Sequence, residues 1–177
     1  LDPDGLVMVW SHNARQSEPN NPVSPANFAA FHDAHVFADT QAMYSFLTSQ
    51  QVRIVADPEL VQAATMTPGM FALLGRQAAY GRPFREGDPD LVVVLSHQYW
   101  SRRFGGDASI VGRTISIVGA PAPVTVLGVM PDDFVFPYRS MLGPSGFSRA
   151  TQPDIWLPLS PRIDTRLVDA TGQPTRT

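Results

Sequence analysis

The sequence predicts an α+β fold: mixed or antiparallel short strands, with short helices between them. Three observations carry this. Pro (17) and Gly (13) are numerous and spread along the chain, which favours many turns over long helices. Short apolar runs, several with period-two alternation, fall into at least two hairpin-like pairs. Helix-start signals, each a Ser or Thr with a helix-compatible segment behind it, interrupt the strands in irregular order. The regular strand–helix alternation of a doubly wound sheet is missing.

Taken in order, Leu6-Val7-Met8-Val9-Trp10 is an apolar run after a Pro-Asp-Gly turn and predicts a buried strand. Residues 11–23 are polar, contain Pro19 and Pro22, and read as a loop. Ser24-Pro25 opens a helix, with Ser able to cap free amides and Pro suited to the first turn. Phe28 and Phe31 share one face of it. It is expected to fray near His35, with a second turn over Phe37 to Met43. Gln50 to Ala56 alternates, with Val52, Ile54 and Ala56 on one side. Asp57-Pro58 is the expected turn, and Leu60 to Met66 the returning strand. Thr67-Pro68 opens a helix that Gly75 ends.

Residues 81–90 form a loop. Leu91 to Leu95 is the clearest buried strand. Ser96 caps the next helix and Gly105-Gly106 closes it. Trp100 and Phe104, four apart, give it an apolar stripe, with Arg102 and Arg103 pointing away. Thr114 to Val118, with Ile115 and Ile117 inward, and Val124 to Val129 form a hairpin around the turn at 119–123. A Gly/Pro/Ser-rich loop at 137–153 leads to a last strand at Ile155 to Leu159, and residues from Pro161 onward form a polar tail.

Composition narrows the function. The chain is 44% hydrophobic and 16% charged, enough apolar surface for a packed core. Net charge is −3, and no basic run exceeds Arg102-Arg103, which disfavours binding a phosphate backbone. The absence of cysteine removes disulfides, thiol catalysis and thiolate metal sites. The longest strongly apolar run, Leu91 to Leu95, is far short of the about 20 residues a membrane-spanning helix needs. No signal peptide is evident, and a start at Leu1-Asp2-Pro3-Asp4 reads as a piece of something larger.

A search for chemistry finds no site. Ser96 sits at a strand-to-helix turn, but without the flanking glycines of a nucleophile elbow, so capping is the preferred role. His32 and His35 can share a helix face. A zinc site would need a third ligand, Asp33 points elsewhere, and only His12 and His97 remain. Asp88/Asp90 and Asp132/Asp133 stand beside prolines in turn-like segments, which explains them without a catalytic pair. Gly69, Gly75 and Gly81 form no phosphate-binding loop. Trp10, Trp100 and Trp156 fall in apolar elements and are expected in the core. No catalytic, cofactor or metal residue is expected.

One stretch points to a family. Leu91-Val92-Val93-Val94-Leu95-Ser96-His97-Gln98-Tyr99-Trp100-Ser101-Arg102-Arg103-Phe104-Gly105-Gly106-Asp107 resembles a signature of MacB-like periplasmic core domains, above all in large duplicated permeases whose ATPase is a separate chain. Ile110-Val111-Gly112-Arg113-Thr114-Ile115, Val126-Leu127-Gly128-Val129-Met130-Pro131, Phe134-Val135-Phe136-Pro137 and Ile155-Trp156-Leu157-Pro158-Leu159 follow in the same order. Upstream, Pro3 to Trp10, Ser24 to Phe28, Thr67 to Gly75 and Gly81-Arg82-Pro83-Phe84 are also similar, so the resemblance runs from about Leu1 to Leu159.

The resemblance implies a main lobe of strand-helix-strand units with a smaller inserted lobe. Its role would be to relay ATP-driven motion of transmembrane helices to cargo or a partner on the outer face of the bacterial inner membrane. The implied partners are the parent's transmembrane helices, an ATPase, and an adaptor, outer-membrane protein or lipoprotein. The expected organisation is a core domain over residues 1–160 and a tail over 161–177. Family members continue into a second half of the main lobe, which Pro161 to Thr177 does not resemble. Two other readings stand beside this one: a secreted module binding sugar or peptide, and a hydrolase using Ser96 or an acidic pair.

Overall fold

A computed structural model describes residues 6–11, 23–39, 43–54, 57–118, 120–136 and 152–159. Helix α1 is Pro25–Asp33; strands β1 (Met43–Ile54) and β2 (Asp57–Met66) follow, then helix α2 (Met70–Leu73) and strand β3 (Tyr80–Gly81). Strand β4 (Val92–Leu95), helix α3 (His97–Phe104), a 3-10 turn at Ala108–Ile110, and strands β5 (Thr114–Ile117), β6 (Val124–Val129) and β7 (Ile155–Pro158) complete it. The fold is α+β, as expected.

All seven strands join one mixed sheet in the order β3-β6-β4-β7-β2-β1-β5, and a further β5–β6 pairing closes it into a ring. The β1–β2 and β5–β6 hairpins are antiparallel, while β4–β6 and β2–β7 are parallel. Strand β7 is the insert that joins the two halves, antiparallel to β4 through Val94↔Trp156 and parallel to β2 through Ala64↔Trp156. Strand alternation then builds two cores. Val61, Ala63, Val93, Leu95, Ile115, Ile117, Val124, Val126 and Ile155 point to one side of the sheet, where Tyr99 and Trp100 of α3 pack on them. Ala64, Met66, Val92, Val94 and Trp156 point to the other, under Phe71 of α2, Phe84 and the segment from Met130 to Phe136. Strand β4 is therefore buried at all four positions, which accounts for its unbroken apolar run.

Strands β3 and β5 share one edge of β6, β5 at Val124–Thr125 and β3 at Gly128–Val129. Gly128 makes this close approach possible. A Cβ there would stand 2.5 Å from the carbonyl oxygen of Arg82 and 2.8 Å from that of Tyr80, both backbone atoms that no rotamer change can move away.

Several expectations are corrected. Leu6 to Trp10 forms no strand, and Leu6, Val7, Met8 and Val9 are exposed, Val7 to 68%. An apolar run becomes a buried strand only where a neighbouring ladder and a covering layer meet it, and among the described residues no ladder of the sheet includes Leu6 to Trp10. Among the described residues the expected second helical turn after His35 is not seen: residues 37–38 bend, and Met43 already begins β1. Asp57-Pro58 is not the turn of the first hairpin but part of its second strand, because Ile54 pairs with Asp57 and Arg53 with Pro58. Pro58 thus lies at the start of a strand, where a missing amide is tolerated. Helix α2 is a single turn over Met70–Leu73, beginning later than the expected start at Pro68, with Gly69 at its N-cap and the Met70 amide donating to the Thr67 carbonyl at 3.1 Å.

Other expectations hold. Ser24 Oγ accepts the Asn27 amide at 3.2 Å, and Gly75 takes φ 63 after α2. The loop at 137–151, the tail from 160, His12 and the side chains of Val52, Ile54 and Ala56 lie outside the described residues.

Candidate functional site

The signature stretch folds as strand, cap and helix. Ser96 Oγ accepts the Tyr99 amide at 3.1 Å, and its extended backbone (φ −73, ψ 153) suits an N-cap. Gly105, at φ 61, ends α3 in the left-handed conformation. Between these stops the helix turns Tyr99 and Trp100 into the first core and leaves Arg102 and Arg103 in the last turn, where cations complement the helix dipole. Trp100 Nε1 donates to the Asp107 carbonyl at 3.0 Å, so the indole also holds the turn after the helix. Tyr80 and His97 lie against its ring at centroid distances of 4.9 and 5.2 Å.

A charged cluster braces this helix against the sheet. Asp154 joins three elements at the start of β7. Its carboxylate accepts the Gln62 amide of β2 at 2.9 Å and Arg102 Nη2 of α3 at 3.2 Å, and its carbonyl accepts the Ser96 amide at 2.9 Å. Arg102 also reaches Glu59 Oε1 at 3.2 Å, and Arg103 Nε lies 3.6 Å from Glu59 Oε2. The Arg102 guanidinium sits 5.4 Å from the Tyr99 ring centroid. Sequence reasoning missed Asp154, since a lone acidic residue after a proline carries no long-range signal.

Burial pushes the Tyr99 phenol above its ordinary pKa, and the negative charge of Glu59 adds to the shift. The hydroxyl is buried and makes no hydrogen bond among the described residues. Tyr99→Phe is therefore expected to be neutral or slightly stabilising in a urea-unfolding experiment, since it removes an unsatisfied group and keeps the ring. A loss above about 1 kcal/mol would show that the hydroxyl is bonded. Ser96→Ala is expected to cost about 1 kcal/mol, the value of an N-cap, measured by the same titration. Stability unchanged in that variant would remove the capping role.

The other residues singled out in the sequence stay apart. His32 Nδ1 lies 3.4 Å from Asp33 Oδ1, and His35 Nδ1 donates to the Asp33 carbonyl at 2.8 Å, both local contacts at the end of α1. Among the described residues no three His, Asp or Glu side chains come close enough to hold a metal, and no charged side chain is buried. Asp88 does not face Asp90 as a catalytic pair. It clamps Arg82 through two bonds of 2.6 and 2.7 Å and accepts the Arg85 amide at 2.9 Å. The Arg82 guanidinium holds the Asp88 carboxyl below the usual carboxylate range. Asp133 lies 3.2 Å from Arg76, tying the turn after β6 to the end of α2. No helix among the described residues is long and apolar enough to cross a membrane.

The sequence profile of the MacB-like periplasmic core domain matches residues 2–174. A search of curated proteins finds no significant match. Among solved structures, the chain resembles the extracellular domain of the noncanonic ABC-type transporter YknZ from Gram-positive bacteria. The TM-score is 0.55 at 14% identity, over 77% of this chain and 62% of that one. It also resembles the periplasmic region of MacB from Actinobacillus actinomycetemcomitans, with TM-score 0.54 at 14% identity, over 86% and 60%. A domain of a putative permease protein from Porphyromonas gingivalis matches with TM-score 0.50 at 16% identity, over 77% and 57%. The chain spans less than two thirds of each of these, and at such identities the likeness speaks for the fold alone.

Proposed function

We propose, from the premise that the chain belongs to the family of MacB-like periplasmic core domains, that it works as the extracytoplasmic domain of an ABC-transporter permease. In this reading the domain relays ATP-driven motion of the parent's transmembrane helices to cargo or to a partner protein in export, and performs no catalysis itself. Its partners are those helices, an ATPase on the cytoplasmic side, and a protein met outside the inner membrane: an adaptor, an outer-membrane protein or a lipoprotein. The family match over residues 2–174 carries the reading. The cross-braced ring supports it, because a relay has to move as a body: Asp154, Arg102 and Glu59 tie α3, β2 and β7 together.

The test uses the absence of cysteine in this chain. A single Cys is placed at exposed Glu86 in the intact parent protein, with any cysteines elsewhere replaced, and whole cells are treated with a membrane-impermeant maleimide. Labelling of a membrane-bound product without permeabilisation is expected. Labelling only after lysis would overturn the reading, and a labelled product that leaves the membrane with the soluble fraction would favour a secreted binding module. The relay itself predicts that removing residues 6–159 abolishes export while the permease still assembles with its ATPase. Export that survives the deletion would end that part of the proposal.

A further inference from the structure

We draw no further inference here: the strongest candidate, the edge of strand β1 over residues 43–51, which carries no charged residue and pairs with no strand beyond β2 among the described residues, carries nothing because nothing in the structure shows what covers it.

Discussion

Trp156→Ala is expected to cost about 3–5 kcal/mol of folding stability, the upper range for truncating a buried aromatic. Trp156 is 1% exposed and lies in β7, the strand that joins the two halves of the ring. Its indole meets Phe134 edge-on at 5.3 Å and Phe71 edge-on at 6.2 Å. Phe71 in turn meets Phe84 at 5.0 Å, so the ring cluster draws on α2, the loop after β3, the segment after β6, and β7. Four separate segments cannot close over the cavity together, which keeps the cost near the top of the range. The indole N–H makes no hydrogen bond among the described residues, so the loss is one of packing. Trp156→Phe should therefore recover most of it. Urea titration of both variants checks this. A Trp156→Ala cost below about 1 kcal/mol would mean that the second core collapses freely and that β7 is not anchored there.

The elements legible in the sequence are those decided by local chemistry or by burial on both faces. Leu91 to Leu95 is uniformly apolar because β4 lies centrally in the sheet, with a core on each side. The Ser96 cap and the Gly105 stop depend on backbone geometry within a few residues, and both hold. Alternation placed Ile115 and Ile117 inward, and both are buried. What failed was decided at long range. Val7 and its neighbours have the composition of a strand, but composition supplies no partner. Met43 to Ser49 mixes Tyr44, Phe46 and Leu47 with Ser and Thr in no clean period, and it forms strand through its ladder with β2 alone. The parallel pairing of β7 with β2 joins residues 92 positions apart, and Asp154 gains its role only through that pairing. The candidate site was legible as a helix with an anchoring Trp, while its charged brace was not.

Trp100→Ala is expected to cost about 3–5 kcal/mol as well, by a different balance of causes. The residue is 5% exposed on α3 and belongs to the first core with Val93, Leu95, Val126 and Ile155. Truncation removes the indole from beneath Tyr80 and His97 and opens a cavity where the helix covers the sheet. It also removes the donor to the Asp107 carbonyl, which holds the Gly105-Gly106-Asp107 turn to the helix. Asp107 in turn caps the following 3-10 turn, its carboxylate accepting the Ser109 amide at 2.8 Å, so loosening should spread toward β5. Trp100→Phe separates the two contributions. It keeps most of the packing and loses the bond, and is expected to cost about 1 kcal/mol for the bond plus a smaller cavity term. Hydrogen exchange should rise at 105–113 in both variants and elsewhere mainly in Trp100→Ala. If Trp100→Ala leaves stability unchanged, the indole does not anchor α3, and its rings with Tyr80 and His97 become a surface available to a partner.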